Sequence, residues 1–297
     1  MNVFISTCCQ GLIYAILSLG VYITFRILNF ADMTAEGAFA LGGSVCGVLM
    51  ASGVDAFSSI LIAAVVGSLA GLITGILNTR LKIQDILSGI LTMISLYSIN
   101  LRIMGKANVS LLGKSTVFKF FSNSMYSAFG MVLIFCVLII FVLNLFFKTR
   151  IGLAIRATGD NEQMMRALGG NTNFKKILAL MLSASLCAIS GALVAQNQGY
   201  ADVNMGTGTI VIAFASIVIG EAFYKKSSVL MKLIFTVLGS VCYRFIILMV
   251  LNLGMNPSDL KLFTALTSAV LLSFPVLKKR FLGGIKNAKN KKFKKDF

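Results

Sequence analysis

The chain has 297 residues, 57% hydrophobic and only 12% charged, with mean hydropathy +0.89 and a formal net charge of +17. Soluble domains carry roughly a quarter charged residues, so the composition excludes a water-soluble enzyme or nucleic-acid binder and defines an all-α polytopic membrane protein. The absence of histidine removes any imidazole relay or His-ligated metal.

Six cysteines (Cys8, Cys9, Cys46, Cys136, Cys187, Cys242) lie in apolar segments, with no metal-ligand spacing and no disulfide framework. They read as small hydrophobes. Apolar runs fall near 3–26, 35–52, 57–79, 86–104, 128–147, 174–196, 207–223, 228–252 and 260–277. At roughly 17 to 25 residues, each can cross a hydrocarbon core about 30 Å thick. About nine transmembrane helices are predicted, within a range of about eight to ten, forming one transmembrane domain over 1–277 with a basic tail over 278–297. The second run (Gly37 to Gly53) and the seventh (Thr207 to Phe223) are short and glycine-interrupted, which suits broken or re-entrant helices around a cavity.

Positive loops stay in the cytoplasm. The nine Lys/Arg between Lys278 and Lys295 place the C-terminus inside. Counting back puts Lys225/Lys226, Lys148 to Lys176, Arg80/Lys82 and Arg26 on the same side, and the N-terminus outside with its first span as a non-cleaved anchor. Only the 105–127 loop, with Lys106, Lys114 and Lys119, breaks the rule. Topology thus accounts for much of the charge; the tail meets anionic lipid or water rather than nucleic acid.

Between the first and second spans, Asn29-Phe30-Ala31-Asp32-Met33-Thr34-Ala35-Glu36-Gly37 carries two acids four residues apart, on one face if helical. Ionisable groups inside a membrane mark a pathway or a buried pair, and Asn29, Asp32, Glu36 and Asp202 are the candidate path residues. Glu221, Arg102 and Arg244 are further candidates, read either as pathway groups or as interfacial groups, with Arg244 in the latter case neutralised by one acid within the bundle. Ala31-Asp32-Met33 and Ala201-Asp202-Val203 each precede a short glycine-containing span, from opposite sides, as in an inverted repeat. Leu112-Gly113-Lys114-Ser115-Thr116 ends like a phosphate-binding loop, but Asn108 stands where its first glycine belongs and a membrane span precedes it. No nucleotide engine is therefore visible in the chain.

The polar island from Arg156 to Asn171 separates two long apolar runs, and a short polar helix between spans suits a partner in the water phase. This segment resembles the cytoplasmic coupling segment of permease subunits in branched-chain-amino-acid-type ABC importers. The shared residues are Arg156-Ala157, Asp160-Asn161, Ala167, Leu168-Gly169 and Asn171. Gly11 to Ile16 and Leu28-Asn29-Phe30-Ala31 resemble the family's first-span signatures, and Asp32 to Gly37 is closest to a tryptophan/tyrosine subgroup. The resemblance implies a homodimer or heterodimer of permeases in the cell membrane, with a second copy of this chain as the expected partner. It also implies two docked ABC ATPase subunits that carry the ATP and Mg, an extracytoplasmic solute-binding lipoprotein, and no cofactor on this chain. Arg156 and Asn171 would fix the ends of the coupling segment, and Asn161 to Ala167 would enter the ATPase groove. Met165 and Gly170 depart from the family pattern, and Gly170 predicts a looser end to the coupling helix.

The reading is the permease of an amino-acid importer, the solute being aromatic if the subgroup holds; the alternative is an ion-coupled secondary transporter using Asp32, Glu36 and Asp202. An intramembrane enzyme lacks any supporting motif, including a Gly-x-Ser-x-Gly elbow.

Overall fold

A computed structural model describes residues 2–119, 125–223, 228–252, 262 and 264–270. The chain runs α1 (Asn2–Tyr22, continued by a π-helical turn Ile23–Ile27), α2 (Thr34–Ala51), α3 (Ala56–Thr79), α4 (Asp85–Met104), β1 (Asn108–Ser110) and α5 (Met125–Lys148). It continues through α6 (Arg150–Asp160), α7 (Glu162–Ala167), α8 (Thr172–Gln198), β2 (Tyr200–Asp202), α9 (Thr209–Ala222) and α10 (Val229–Asn252). Among the described residues seven helices are long and apolar enough to cross a membrane, and α9 is a shorter apolar one. These match the first eight predicted spans. The ninth (260–277), Lys225/Lys226 and the tail 278–297 lie largely or wholly outside the described residues.

α1, α2 and α8 form the buried centre, whereas α3, α4 and α5 turn Leu61, Val65, Ile94, Leu138 and Phe141 outward. Apolar surface of that extent belongs in lipid rather than water. Helices that cannot gain from hydrophobic burial against one another pack instead through small residues and serine-to-backbone bonds, and both are present. Gly67, Gly71 and Gly75 lie one turn apart on α3 and press on Ala184, Leu180 and Ile177 of α8. Ser183, Ser190 and Ser240 donate to the carbonyls of Gly20, Ile13 and Gly11 at 2.8, 2.8 and 3.0 Å. Thr34 bonds Thr74 at 2.8 Å, and Thr74 bonds Thr92 at 3.0 Å, joining α2, α3 and α4.

One correction concerns the second span. α2 is an unbroken helix, and its glycines are points of close approach, Gly42 against Ala188 and Gly43 against Met205. The interruption lies just before it, at residues 28–33, where the π-turn ends and Asn29 adopts φ 56°.

Candidate functional site: two turns, two cavities and a polar platform

Two turns shape the bundle. In the first, Asn29 (φ 56°), Phe30 and Ala31 precede Asp32, whose Oδ1 accepts the Thr34 amide at 2.8 Å. In the second, Gly199 (φ 79°), Tyr200 and Ala201 precede Asp202, whose Oδ1 accepts the Asn204 amide at 2.7 Å. A left-handed residue, an aromatic, an alanine and an Asx-type aspartate therefore recur in the same order. The two turns lie at opposite ends. The first meets α6, Asn29 Nδ2 donating to the Gly159 carbonyl at 3.2 Å; the second is carried by β2, which pairs antiparallel with β1 in register Asn108↔Asp202. The match seen in sequence thus extends to the left-handed residue and the Asx contact, although 200–202 form a strand and 30–32 do not.

After Asp202 the chain does not continue as a helix. Residues 203–208 pass beside α2, with Gly206 against the Glu36 carbonyl, and α9 begins there. Glu36 Oε1 accepts the Gly208 amide at 2.9 Å, a carboxylate held at the positive end of α9.

This loop borders two cavities. One, of about 310 Å³, includes Glu36, Tyr97, Asn100, Asn204 and Thr207 in its wall. Asn100 is 1% exposed, and neither atom of its amide has a partner. The other, of about 540 Å³, includes Gln10, Tyr14, Thr207, Gly208, Arg244 and Ile247. Thr207 is common to both. Arg244 lies over the Tyr14 ring, its Cζ 3.9 Å from the centroid.

Among the described residues no acid pairs with Arg244, against one of the two sequence-derived readings. Glu221 pairs with Arg26 instead, tying the end of α9 to the π-turn of α1. Of the four sequence-derived path residues, Glu36 is in a cavity wall; Asp32 and Asp202 hold the turns, and Asn29 faces α6. Asn100, Tyr14 and Thr207 were not selected from sequence. Only Arg244 carried a usable signal there, as a charge inside an apolar run.

The polar island folds as two helices rather than one. Each helix start has its own side-chain cap: Thr149 accepts Gly152 N at 3.2 Å for α6, Asn161 accepts Met164 N at 2.9 Å for α7, and Asn171 accepts Phe174 N at 3.1 Å for α8. Arg156, Asp160, Ala167, Leu168 and Gly169 are exposed and Ala157 is half-buried. Leu168 is 73% exposed, an apolar side chain standing out of a charged segment. Glu162 joins Arg166 at 2.6 Å and Lys176 of α8 at 2.8 Å, and Arg166 Nε donates to Thr172 Oγ1 at 3.1 Å, so α7 is fastened to the first turns of α8. At the end of α7, where Gly170 predicts a looser helix end, Gly169 takes φ 77° and the Gly170 amide donates to the Met165 carbonyl at 2.9 Å.

The Gly-Lys-Ser string forms no phosphate cradle. Among the described residues a short 3₁₀ turn, Val117–Lys119, follows it, and Lys114 Nζ donates to the Ala51 carbonyl at 3.1 Å.

Long apolar helices packed through small and hydroxyl residues, with, among the described residues, an unpaired arginine and an unpartnered asparagine beside cavities, define a polytopic membrane transport protein. Residues 3–274 match the family model described as "Branched-chain amino acid transport system / permease component", and the chain belongs to that family. It is 43% identical over 273 residues to the tyrosine transport system permease protein of Clostridioides difficile, covering 92% of this chain and 91% of that one. It is 28% identical over 225 residues to the probable branched-chain amino acid transport permease protein LivH of Methanocaldococcus jannaschii, covering 69% of each. Among solved structures, PsaBC from Streptococcus pneumoniae in complex with Fab has a similar fold, with TM-score 0.51, 18% identity and coverage of 91% of this chain and 89% of that chain. Members of this family are transport permeases rather than enzymes, and so is this chain.

Proposed function

We propose that the chain is the membrane-spanning subunit of an ATP-driven importer for an amino acid, with an aromatic amino acid as the preferred solute. The observation that carries this reading is the α6–α7 platform, which presents exposed Leu168 and Met164 at one end of the bundle while salt links join it to α8. A separate ATPase subunit, carrying the ATP and Mg, docks on Asn161 to Gly169. Its closure tilts α8, and with it the turn at 199–208 that borders both cavities, as a two-state rigid-body switch. A second copy of the chain completes the path, and an extracytoplasmic binding protein delivers solute at the β1–β2 end. Asn29, Asp32, Glu36 and Asp202 shape the route, Glu36 from a cavity wall and the others through the two turns. The name and 43% identity of the Clostridioides difficile relative support tyrosine as the first solute to test.

The test is affinity capture of the tagged full-length chain from native membranes in mild detergent, with co-purifying proteins identified by mass spectrometry. A stoichiometric ATPase is expected. Replacing Leu168→Glu and Gly169→Lys is expected to abolish its capture and tyrosine uptake while leaving the amount of chain in the membrane unchanged. Recovery of the chain alone, with uptake in ATP-free vesicles that follows an ion gradient, would reverse the assignment.

A further inference from the structure

We propose that the cavity beside Arg244 is the carboxylate-reading subsite of the permease, built to hold the acid group of an amino acid with an apolar side chain as it passes. The proposal rests on the amino-acid import reading above and adds to it a defined place and chemistry.

A guanidinium at the depth of an apolar helix is tolerated when something offsets its lost hydration. Among the described residues no acid pairs with Arg244, and its Nε has no partner. The Tyr14 ring supplies a cation–π contact on one face, and among the described residues no hydrogen bond engages the guanidinium edge. A planar fork of donors beside a cavity fits a carboxylate, because two parallel N–H···O bonds can form at once.

The rest of the wall narrows the ligand class. Val211, Ile212 and Ile247 offer an apolar lining, whereas Gln10 and Thr207 offer hydrogen bonds. A volume of about 540 Å³ accommodates an amino acid with a large side chain. A permanently fixed acid in this place would trap the arginine. A cation left free until the solute arrives instead binds it with an interaction that ends when the solute leaves.

The chain contains no tryptophan, which supplies a direct probe. Tyr14→Trp keeps an aromatic face under Arg244 and places one indole in the cavity. The full-length variant in tryptophan-free detergent micelles is titrated with L-tyrosine, L-phenylalanine, 3-phenylpropanoate, which lacks the amino group, and phenethylamine, which lacks the carboxylate. Saturable changes in indole emission are expected for the three carboxylates and none for phenethylamine at the same concentration. Adding Arg244→Gln is expected to raise the midpoint by about tenfold or more, and Arg244→Lys by less, since lysine keeps the charge but loses the fork.

Equal responses to phenethylamine, no response to any carboxylate, or midpoints unmoved in both arginine variants would overturn the proposal. An anionic lipid is the other source of such an acid group. Micelles doped with phosphatidylglycerol that give the full signal and resist displacement by phenylalanine would likewise overturn it. If both arginine variants aggregate, the comparison of phenylpropanoate with phenethylamine decides alone. Capture of the ATPase is read separately, so failure of the importer reading is distinguishable from failure of the subsite.

Discussion

Asp32 and Asp202 each commit a carboxylate oxygen to the backbone amide two residues on, a task that an asparagine side-chain oxygen performs equally well. Asp32→Asn and Asp202→Asn are therefore expected to retain most uptake, whereas Asp→Ala at either position loses the cap at about 1 kcal/mol and reduces the amount of folded chain. Uptake by the Asn variants, measured beside membrane abundance, checks this; an ion-coupled carrier that titrates these acids would be inactive as Asn. Both aspartates were visible in the sequence because acids in apolar surroundings stand out. Their turn-holding geometry was not, since Asn29 and Gly199 share a backbone conformation without sharing a residue type. Asn100 was equally hidden: one polar residue in Leu96 to Met104 gives no hint that its amide is left without a partner.

Helix contacts are tight enough that single methyl groups matter. A Cβ at Gly191 of α8 would collide with the Phe39 carbonyl of α2, whereas one at Gly130 of α5 meets nothing within 4 Å. Gly191→Ala is expected to lower stability by about 2 kcal/mol or more through forced separation of the two helices. Gly130→Ala is expected to leave it unchanged or raise it by up to about 1 kcal/mol; melting of the two variants in the same detergent makes the comparison. α7 depends instead on charge. Burial pushes the Glu162 carboxyl up, but the Lys176 ammonium and Arg166 guanidinium outweigh it, and the net shift is down from 4.5. A folded value below the unfolded one means that the clamp is fully present above pH 4.5 and is lost as pH falls through the lowered value. Amide exchange in α7, corrected for intrinsic rates, is expected to rise over that acid range. In Glu162→Gln it should already be raised at neutral pH, by an amount equivalent to less than about 1 kcal/mol for such partly exposed pairs. Hydropathy located the first eight membrane segments because length and apolarity suffice for that. It did not divide 156–171 into two helices, because the division rests on Asn161 acting as a cap, and an asparagine in a polar stretch is ambiguous from sequence alone.

Across the whole molecule, basic residues gather at the end that carries Arg80, Lys82 and Lys148 to Lys176, with Lys106 and Lys114 at the other. With the platform end in the cytoplasm, Leu112→Cys (Leu112 is 85% exposed) is expected to react with an impermeant maleimide in intact cells, and Leu168→Cys only after permeabilisation. The reverse pattern would invert the topology. The small hairpin-like pairing of β1 with β2 has a mechanical consequence. Val109 and Ala201 face each other across it, and Ala201 lies immediately before the aspartate from which the chain descends past α2 to Thr207. On the importer reading proposed above, a protein gripping the loop around β1 would hold a handle: a tug of an ångström or two there would pass through the hydrogen-bonded turns at 203–208 to the threonine shared by both chambers, so that arrival at that surface would be felt inside the bundle before any ATP is hydrolysed at the other end.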